Sequence, residues 1–114
     1  MFVNLAKLDH IVFKLGGYES VFKNNKDHTF SQHTNCRFGK WYTGEGKVVF
    51  SGTASYAKID IPHKAVHENV RNVPALIEGG LVENAEKIIE AFKNAEKNSH
   101  ELFDHLDNMV DEVS

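Results

Sequence analysis

The sequence contains a single cysteine, two prolines and one tryptophan among its 114 residues, and it has no long hydrophobic run. One cysteine excludes an internal disulfide framework, so in a reducing compartment the thiol is a buried spectator, a metal ligand or a reactive group. A membrane span would need roughly 18 consecutive apolar residues. The first residues also lack the basic and apolar segments of a secretory signal peptide. We therefore expect a soluble, cytoplasmic protein that does not insert into membranes.

A concentrated basic surface is also missing. The formal net charge is −3, which argues against nucleic-acid binding. Residues 1–80 carry ten basic and seven acidic residues, whereas residues 81–114 carry three and nine, which predicts a solvated acidic helix surface or a face for a basic neighbour. Hydrophobic residues make up 41% and charged residues 25% of the chain, as in ordinary globular proteins. At this length we interpret residues 1–114 as one domain.

The spacing of apolar residues predicts a helix over residues 2–22 with two apolar faces. Such a helix is typical of the inner member of a bundle, or it packs one face on its own core and the other on a partner chain. The pair Gly16-Gly17 predicts a break, a kink or a close approach of another helix. Lys7 and Lys14 are expected to face solvent. One face, which we call the leucine stripe, comprises Leu5, Leu8, Val12 and Leu15, and the second face comprises Phe2, Ala6, His10, Phe13 and Gly17.

The middle of the chain carries weaker signals. Residues 24–35 form a polar segment without periodicity, which predicts a loop. Asn35 is then predicted to cap a short helix over residues 36–43. Residues 47–50 have strand propensity but no partner strand, so we expect an extended or helical connector.

The second half of the chain predicts two further helices. One begins near Ile61 with Asp60 as its N-cap, and Pro74 interrupts it. From Leu81 onward apolar residues alternate in steps of three and four, which predicts one long helix. The pattern as a whole predicts an all-α protein with three long helices and a short one. The stripe of the last helix comprises Leu81, Ala85, Ile88, Phe92, Ala95, Ser99, Leu102, Leu106, Met109 and Val113.

Three histidines and the cysteine are candidate metal ligands. His63 and His67 are four residues apart, so on a helix both can bind one ion from a single face. His10 lies among small neighbours that would let another helix approach. The position of Cys36 at the start of a helix beside Arg37 predicts a lowered thiol pKa and a metal-binding thiolate. Taken singly, each residue also fits an ordinary role, namely a solvated or core histidine and a buried small hydrophobe.

The remaining histidines have weaker claims. His100 and His105 are five residues apart, about 140° around a helix, so one ion cannot easily bind both. His28 and His33 lie in the polar loop and are expected to be solvated. Either would replace His10 if that side chain faced elsewhere.

Three segments stand in a specific order and spacing, namely His10-x-x-Phe13, Cys36-x-Phe38-Gly39-x-Trp41-Tyr42 and His63-x-x-x-His67. They cover residues 10–67 and together resemble the chemoreceptor zinc-binding (CZB) domain family. The resemblance implies an antiparallel four-helix bundle with an additional short helix that carries the cysteine. It implies a zinc ion bound by His10, Cys36, His63 and His67. It further implies packing around the metal by Phe13, Phe38, Gly39, Trp41 and Tyr42.

The resemblance also implies a function. Domains of this family regulate bacterial chemoreceptors and diguanylate cyclases, and they are associated with zinc and with oxidants, notably hypochlorous acid. A homodimer and a covalently linked or associated signalling output module are expected, the chain being either an excised regulatory domain or a protein that acts in trans. Zinc would keep Cys36 as a thiolate, and its oxidation to the sulfenic acid would weaken this ligand. The short helix that follows is then predicted to loosen first.

Other functions remain open at this point. Four protein ligands leave no position for a catalytic water, so we expect no enzymatic activity and no organic substrate. Zinc alone would serve as a structural link between helices. A metallohydrolase of the HExxH type would need a general base after His63, where the chain has Lys64. A cysteine-nucleophile enzyme would need a histidine and an orienting group beside Cys36.

Overall fold

A computed structural model describes residues 2–27 and 29–113, with the side chain of Phe2 outside the description. The predicted place of Phe2 on the second face and the role of His28 as a substitute ligand therefore lie outside the described residues. Within the described part every regular element is a helix, which confirms the all-α prediction. The elements are α1 (Phe2–Phe22), α2 (Arg37–Thr43), α3 (Glu45–Phe50), a short 3-10 helix (Tyr56–Lys58), α4 (Asp60–Arg71), α5 (Val73–Glu78) and α6 (Ala85–Val113).

Two of the three predicted long helices are present as such. α1 and α6 have 21 and 29 residues, and the molecule extends 49 × 20 × 18 Å. The third is divided into α4 and α5, because Pro74 stands in the first turn of α5 and cannot continue the hydrogen-bond ladder. The antiparallel four-helix arrangement remains a prediction. None of the described helices has the length and hydropathy that crossing a bilayer requires.

The second face of α1, not the leucine stripe, packs in the core. Ala6 is 4% exposed and His10 1%, whereas Leu8 and Val12 are 58% and 65% exposed. Gly17 allows this face to pack closely, because it has no side chain. A Cβ there would lie 2.9 Å from a methyl of Val70 and 3.2 Å from the ring of Phe92. α1 is continuous through the glycines, so the close-approach interpretation is the correct one.

Lys7 and Lys14 do not face solvent, contrary to the prediction. Their side chains are 21% and 15% exposed and form ion pairs with Asp107 and Glu96 of α6. Their ammonium nitrogens also lie over the ring of Phe103 on α6, 5.5 and 5.9 Å from its centroid. The basic neighbour of the acidic part of the chain is thus α1 itself.

α6 buries most of its predicted stripe but begins at Ala85, not at Leu81. Gly80 has a φ of +117°, and the chain turns there through hydrogen bonds from Asn84 to Gly80 and from Ala85 to Val82. At the other end Val113 is 50% exposed. The buried residues of α6 are Ile88, Ala91, Phe92, Ala95, Ser99, Leu102, Leu106 and Met109.

Two local predictions of the middle segment need correction, and one is confirmed. Cys36, not Asn35, is the N-cap of α2, because its Sγ accepts the N–H of Gly39. Residues 47–50, which have strand propensity, lie in α3, and this confirms the helical alternative predicted for the connector. α4 begins at Asp60, whose carboxylate lies in the first turn near the positive helix end, and Ile59 occupies the N-cap position.

Two hydrophobic clusters share α6, and the candidate ligands lie between them. The first cluster contains Phe38 and Leu102, and the second contains Val70 and Phe92 with Phe13 packed against it. Phe38 contacts His63 at a ring separation of 4.4 Å, and Phe13 stacks on His67 at 3.9 Å. The site is therefore held between both parts of the core.

Candidate metal centre

The fold brings together three histidines from two helices. His10 is on α1, and His63 and His67 are on α4 one turn apart. Each is 1% exposed, and one ring nitrogen of each lies within 4.8 Å of a ring nitrogen of the other two. We call these residues the three-histidine cluster. The predicted one-face geometry of the pair on α4 places both rings toward α1.

Unsatisfied nitrogens inside this cluster test whether a metal fits. Within the described ranges, neither Nδ1 nor Nε2 of His10 has a hydrogen-bond partner, nor does Nε2 of His67. Buried polar atoms without partners cost free energy, so these atoms are typical of a site that a ligand completes. On His67 the other nitrogen, Nδ1, donates to the carbonyl oxygen of Ser31 at 2.8 Å, which leaves Nε2 as a lone-pair donor. The residues present therefore fit a metal ion.

The histidines are neutral, which is the form that binds metals. The pKa of His10 is lowered to about 3, mainly by burial, with contributions from His67 and Lys14. Burial likewise lowers the pKa of His63 to about 2, with contributions from His67 and His10. Burial also lowers the pKa of His67. Near neutral pH each imidazole thus offers a lone pair without first losing a proton.

Cys36 joins the cluster through one histidine. Its Sγ lies 3.4 Å from Nε2 of His63, and the same sulfur accepts the N–H of Gly39 at 3.2 Å. One nitrogen from each of the three imidazoles lies within 4.8 Å of the other two. The sulfur does not lie within 4.8 Å of all three. Three nitrogens and one sulfur form a donor set that suits zinc.

The predicted lowering of the Cys36 pKa is wrong for the protein without metal. Burial raises the pKa of this thiol more than the backbone N–H groups at the start of α2 lower it, and Asp9 raises it further. Arg37 does not compensate, because its Nε pairs with Oδ2 of Asp9 at 3.2 Å and its side chain is 80% exposed. A bound cation is therefore what would hold the thiolate at neutral pH.

Gly39 allows the polar loop to approach α2 closely. A Cβ on this residue would lie 1.9 Å from the carbonyl oxygen of His33, a distance that no side chain can occupy. The same carbonyl accepts a weak hydrogen bond from Sγ of Cys36 at 3.5 Å. Gly39 thus fixes the loop that positions the sulfur, which gives this motif glycine a steric role.

Aromatic rings enclose the cluster. Phe38 is 1% exposed and packs against His10 and His63. Trp41 and Tyr42 lie one layer further out. Trp41 packs on Phe38 and on Phe50, which lies at the end of α3. Tyr42 stacks on Tyr56, and its hydroxyl donates to the Tyr56 carbonyl oxygen at 2.7 Å. Both residues belong to the same hydrophobic cluster as Phe38.

The other described histidines differ in position. His100 is exposed and pairs with Asp104 on α6, and His105 is not part of the cluster. His33 is not fully solvated as predicted, because its side chain is only 18% exposed and its ring centroid lies 5.6 Å from that of His63. His10 occupies the predicted place, so no substitute for it is needed.

A cleft leads from the surface to the cluster. Its volume is about 430 Å³, and its walls include His10, Cys36 and His67. Asp9 and the exposed Arg37 also border this cleft, so charged side chains stand beside it. Small reagents can therefore reach the sulfur without unfolding of the helices.

Two residues of the site were missed by sequence reasoning. Phe103 contacts the His10 ring edge-on at 5.9 Å, and it stands beside the stripe of α6 and not in it. Ser31 acts through its backbone carbonyl, which any residue would supply, so no side-chain pattern could reveal it. A helical-wheel inspection of α6 toward α1 would have found Phe103.

Comparison with known protein families gives a match. The family model described as the chemoreceptor zinc-binding domain matches residues 10–73, which is more than half of the chain. The matched range includes the three histidines of the cluster and Cys36. Searches of curated proteins and of solved structures gave no match.

Proposed function

Because the chain belongs to the chemoreceptor zinc-binding domain family, we propose that it is a zinc-dependent sensory domain of a bacterial signalling protein. The family is regulatory and binds zinc, and its domains sit within signalling proteins. We assign His10, Cys36, His63 and His67 as the zinc ligands. The observation that carries this assignment is the set of three buried, neutral histidines, two of which, His10 and His67, have unpartnered nitrogens among the described residues, next to the only thiol of the chain.

Cys36 is the proposed point of signal detection. When bound, zinc holds the sulfur as a thiolate, the nucleophilic form of cysteine. A thiolate attacks the oxygen of hypochlorous acid, so an S–O bond forms, the O–Cl bond breaks and chloride leaves. The sulfur loses the two electrons that chlorine gains, and the product is the sulfenic acid with no further co-reactant. The cleft beside the cluster gives this small neutral oxidant access to Cys36.

The oxidised side chain would affect α2 in two ways. The sulfur is both the proposed ligand and the acceptor at the N-cap of α2, so one reaction changes both interactions. Loss of an N-cap costs about 0.5–2 kcal/mol, a large effect for a helix of seven residues. We propose that loosening of α2 and α3 transmits the signal to an output module, in cis or in trans.

Hydrogen exchange before and after one equivalent of hypochlorous acid tests this mechanism. We expect faster exchange over residues 36–50 and unchanged exchange over most of α6. The matched control is the zinc-loaded Cys36→Ser variant, in which the oxidant should change neither segment. Unchanged protection of residues 36–50 in the oxidised wild type would rule out the mechanism.

The ligand assignment has its own test. Cobalt(II) bound in place of zinc should give a thiolate-to-cobalt charge-transfer band that is absent in Cys36→Ser. Competition with a chelator should show zinc affinity lowered by at least about tenfold in that variant, because loss of a ligand should cost no less than loss of a residue that only supports one. Equal affinities, or no charge-transfer band in the wild type, would overturn the assignment.

A purely structural zinc site is the second candidate. It is favoured by the position of the ligands on α1, on α4 and at the start of α2, which zinc would connect. This role predicts zinc-dependent stability with no conformational response to oxidant. The exchange experiment above separates the two candidates.

Self-association is a further part of the proposal. CZB domains often dimerise, and the leucine stripe leaves Leu5, Leu8, Val12 and Leu15 between 49% and 65% exposed. We propose that this stripe forms a homodimer interface, with the output module nearby in the cytoplasm. A zinc hydrolase is disfavoured because Lys64 and not a carboxylate follows His63.

A further inference from the structure

His33 stands unusually close to the candidate ligands for a residue of a polar loop. Its ring centroid is 5.6 Å from that of His63 and the two rings are nearly perpendicular. Its Nε2 lies 3.4 Å from Oδ1 of Asp60, the first residue of α4. The proposed four-ligand site does not use this imidazole, and its side chain is only 18% exposed.

We propose that His33 is a reserve ligand that takes the fourth position when Cys36 can no longer bind. This inference rests on the proposed zinc site and describes its state after oxidation. The site would then pass from three imidazoles and a thiolate to four imidazoles. The oxidised domain would keep its metal while α2 loses its connection to it.

The local geometry places the two residues together. His33 and Cys36 are three positions apart in one turn, and the sulfur already contacts the His33 carbonyl oxygen at 3.5 Å. Both approach the same partner, since Sγ of Cys36 is 3.4 Å from Nε2 of His63 and the His33 ring packs edge-on to that imidazole. A rotation of the His33 side chain, with no displacement of a helix, would therefore bring a nitrogen into the position of the sulfur.

Asp60 prepares His33 for this role. Its carboxylate faces Nε2, which leaves Nδ1 as the nitrogen available to a metal. A carboxylate on the far nitrogen is a common partner of metal-binding histidines, because it fixes the tautomer and the orientation of the ring. The exposed side of Asp60 also lets the pair adjust, since that side chain is 53% exposed.

Charge explains why the thiolate is preferred in the reduced protein. A thiolate partly neutralises a divalent cation, whereas a fourth imidazole leaves both positive charges in a buried site. His33 is therefore the weaker ligand and stays on Asp60 while Cys36 is available. Zinc accepts four imidazole nitrogens in a tetrahedral arrangement, so the exchange keeps an allowed geometry.

Cobalt(II) and zinc binding to four proteins tests the proposal: wild type, Cys36→Ala, His33→Ala and the double variant. We expect Cys36→Ala to lose the thiolate charge-transfer band but to keep the strong visible bands of four-coordinate cobalt. The double variant should bind zinc about tenfold more weakly than Cys36→Ala, because only water is then left for the fourth position. His33→Ala alone should match the wild type while reduced, but after one equivalent of hypochlorous acid it should release zinc to a chromophoric chelator faster.

The control is His100→Ala in the Cys36→Ala background, because His100 also pairs with an aspartate at 3.4 Å but lies on the exposed face of α6. It should leave zinc affinity unchanged. Equal affinities of Cys36→Ala and the double variant would overturn the reserve role. An absent charge-transfer band in the wild type would instead refute the proposed zinc site.

If circular dichroism shows that the double variant does not fold, NMR of the imidazole nitrogens in Cys36→Ala tests directly whether His33 binds zinc. The Nδ1 resonance of His33 should shift on zinc addition. An unmoved resonance would contradict the proposal.

Discussion

The Sγ atom of Cys36 accepts the backbone N–H of Gly39 at 3.2 Å, so the proposed metal ligand is also the cap of the helix that follows it. A change in the sulfur therefore acts on the metal site and on α2 at once. The cap is local, whereas the contact with His63 joins residues 27 positions apart. This combination makes one small side chain sufficient to couple binding to local helix stability.

Replacing Cys36 by serine or alanine separates these two roles. Serine keeps an acceptor at the N-cap but is a poor zinc ligand, whereas alanine keeps neither. In the metal-free proteins we expect Cys36→Ala to be less stable than Cys36→Ser by about 1 kcal/mol. In the zinc-loaded proteins both should bind more weakly than the wild type. Urea unfolding with and without a chelator measures both effects, and equal stability of the two metal-free variants would exclude the capping role.

Adjacent glycines in α1 should respond to alanine in opposite directions. A Cβ at position 17 would meet Val70 at 2.9 Å and Phe92 at 3.2 Å, so Gly17→Ala should destabilise by about 1–3 kcal/mol. A Cβ at position 16 meets only the ring of Phe30 at 3.7 Å, and Gly16→Ala should stabilise by up to about 1 kcal/mol through helix propensity. Thermal unfolding of the two variants provides the comparison. Similar effects would refute the assigned close approach of α1.

α1 and α2 show which structural features the sequence predicts and which it does not. Periodicity located α1, and motif spacing selected the three histidines that the fold brings together. Periodicity could not predict which apolar face of α1 is buried. The leucine stripe is the more hydrophobic face, but the buried face is the one where Gly17 permits close packing. The cap of α2 was misassigned because asparagine is the better general capping residue, whereas the actual choice depends on the loop fixed by Gly39. The direction of the Cys36 pKa shift could not be predicted, because the order of residues does not show that the thiol is buried.

Gly39→Ala should damage the site without touching a ligand. The added Cβ would overlap the carbonyl oxygen of His33, so the loop must move away from α2 and carry Cys36 with it. We expect destabilisation of about 1–3 kcal/mol and a fall in zinc affinity. Gly52→Ala is the matched control, since no atom of the residues that the structure describes lies within 4 Å of a Cβ there. Isothermal titration with zinc measures affinity, and wild-type binding by Gly39→Ala would contradict the steric role of this glycine.

His10→Leu should remove a proposed zinc ligand and stabilise the metal-free protein. Leucine fills a similar volume and removes two buried nitrogens that lack hydrogen-bond partners, so the metal-free variant should be more stable than the metal-free wild type by about 1–3 kcal/mol. The wild type should gain about 4 kcal/mol at a zinc concentration one thousand times the dissociation constant, and the variant should lose most of this gain. Differential scanning calorimetry with zinc and with a chelator measures both. A variant with full zinc stabilisation would remove His10 from the ligand set.

The leucine stripe gives the last prediction. Leu8 and Leu15 are one heptad apart on α1 and are 58% and 59% exposed, so glutamate at both positions should not disturb the core. Burying both side chains of each chain in a dimer would stabilise it by about 1–3 kcal/mol per side chain, so the double substitution should yield monomers at micromolar concentration. The control is Val48→Glu on α3, which is 86% exposed and lies outside the stripe. Sedimentation velocity should show dimers for the wild type and for the control. Dimers of the double variant would place the interface elsewhere, whereas a monomeric wild type would refute the proposed homodimer.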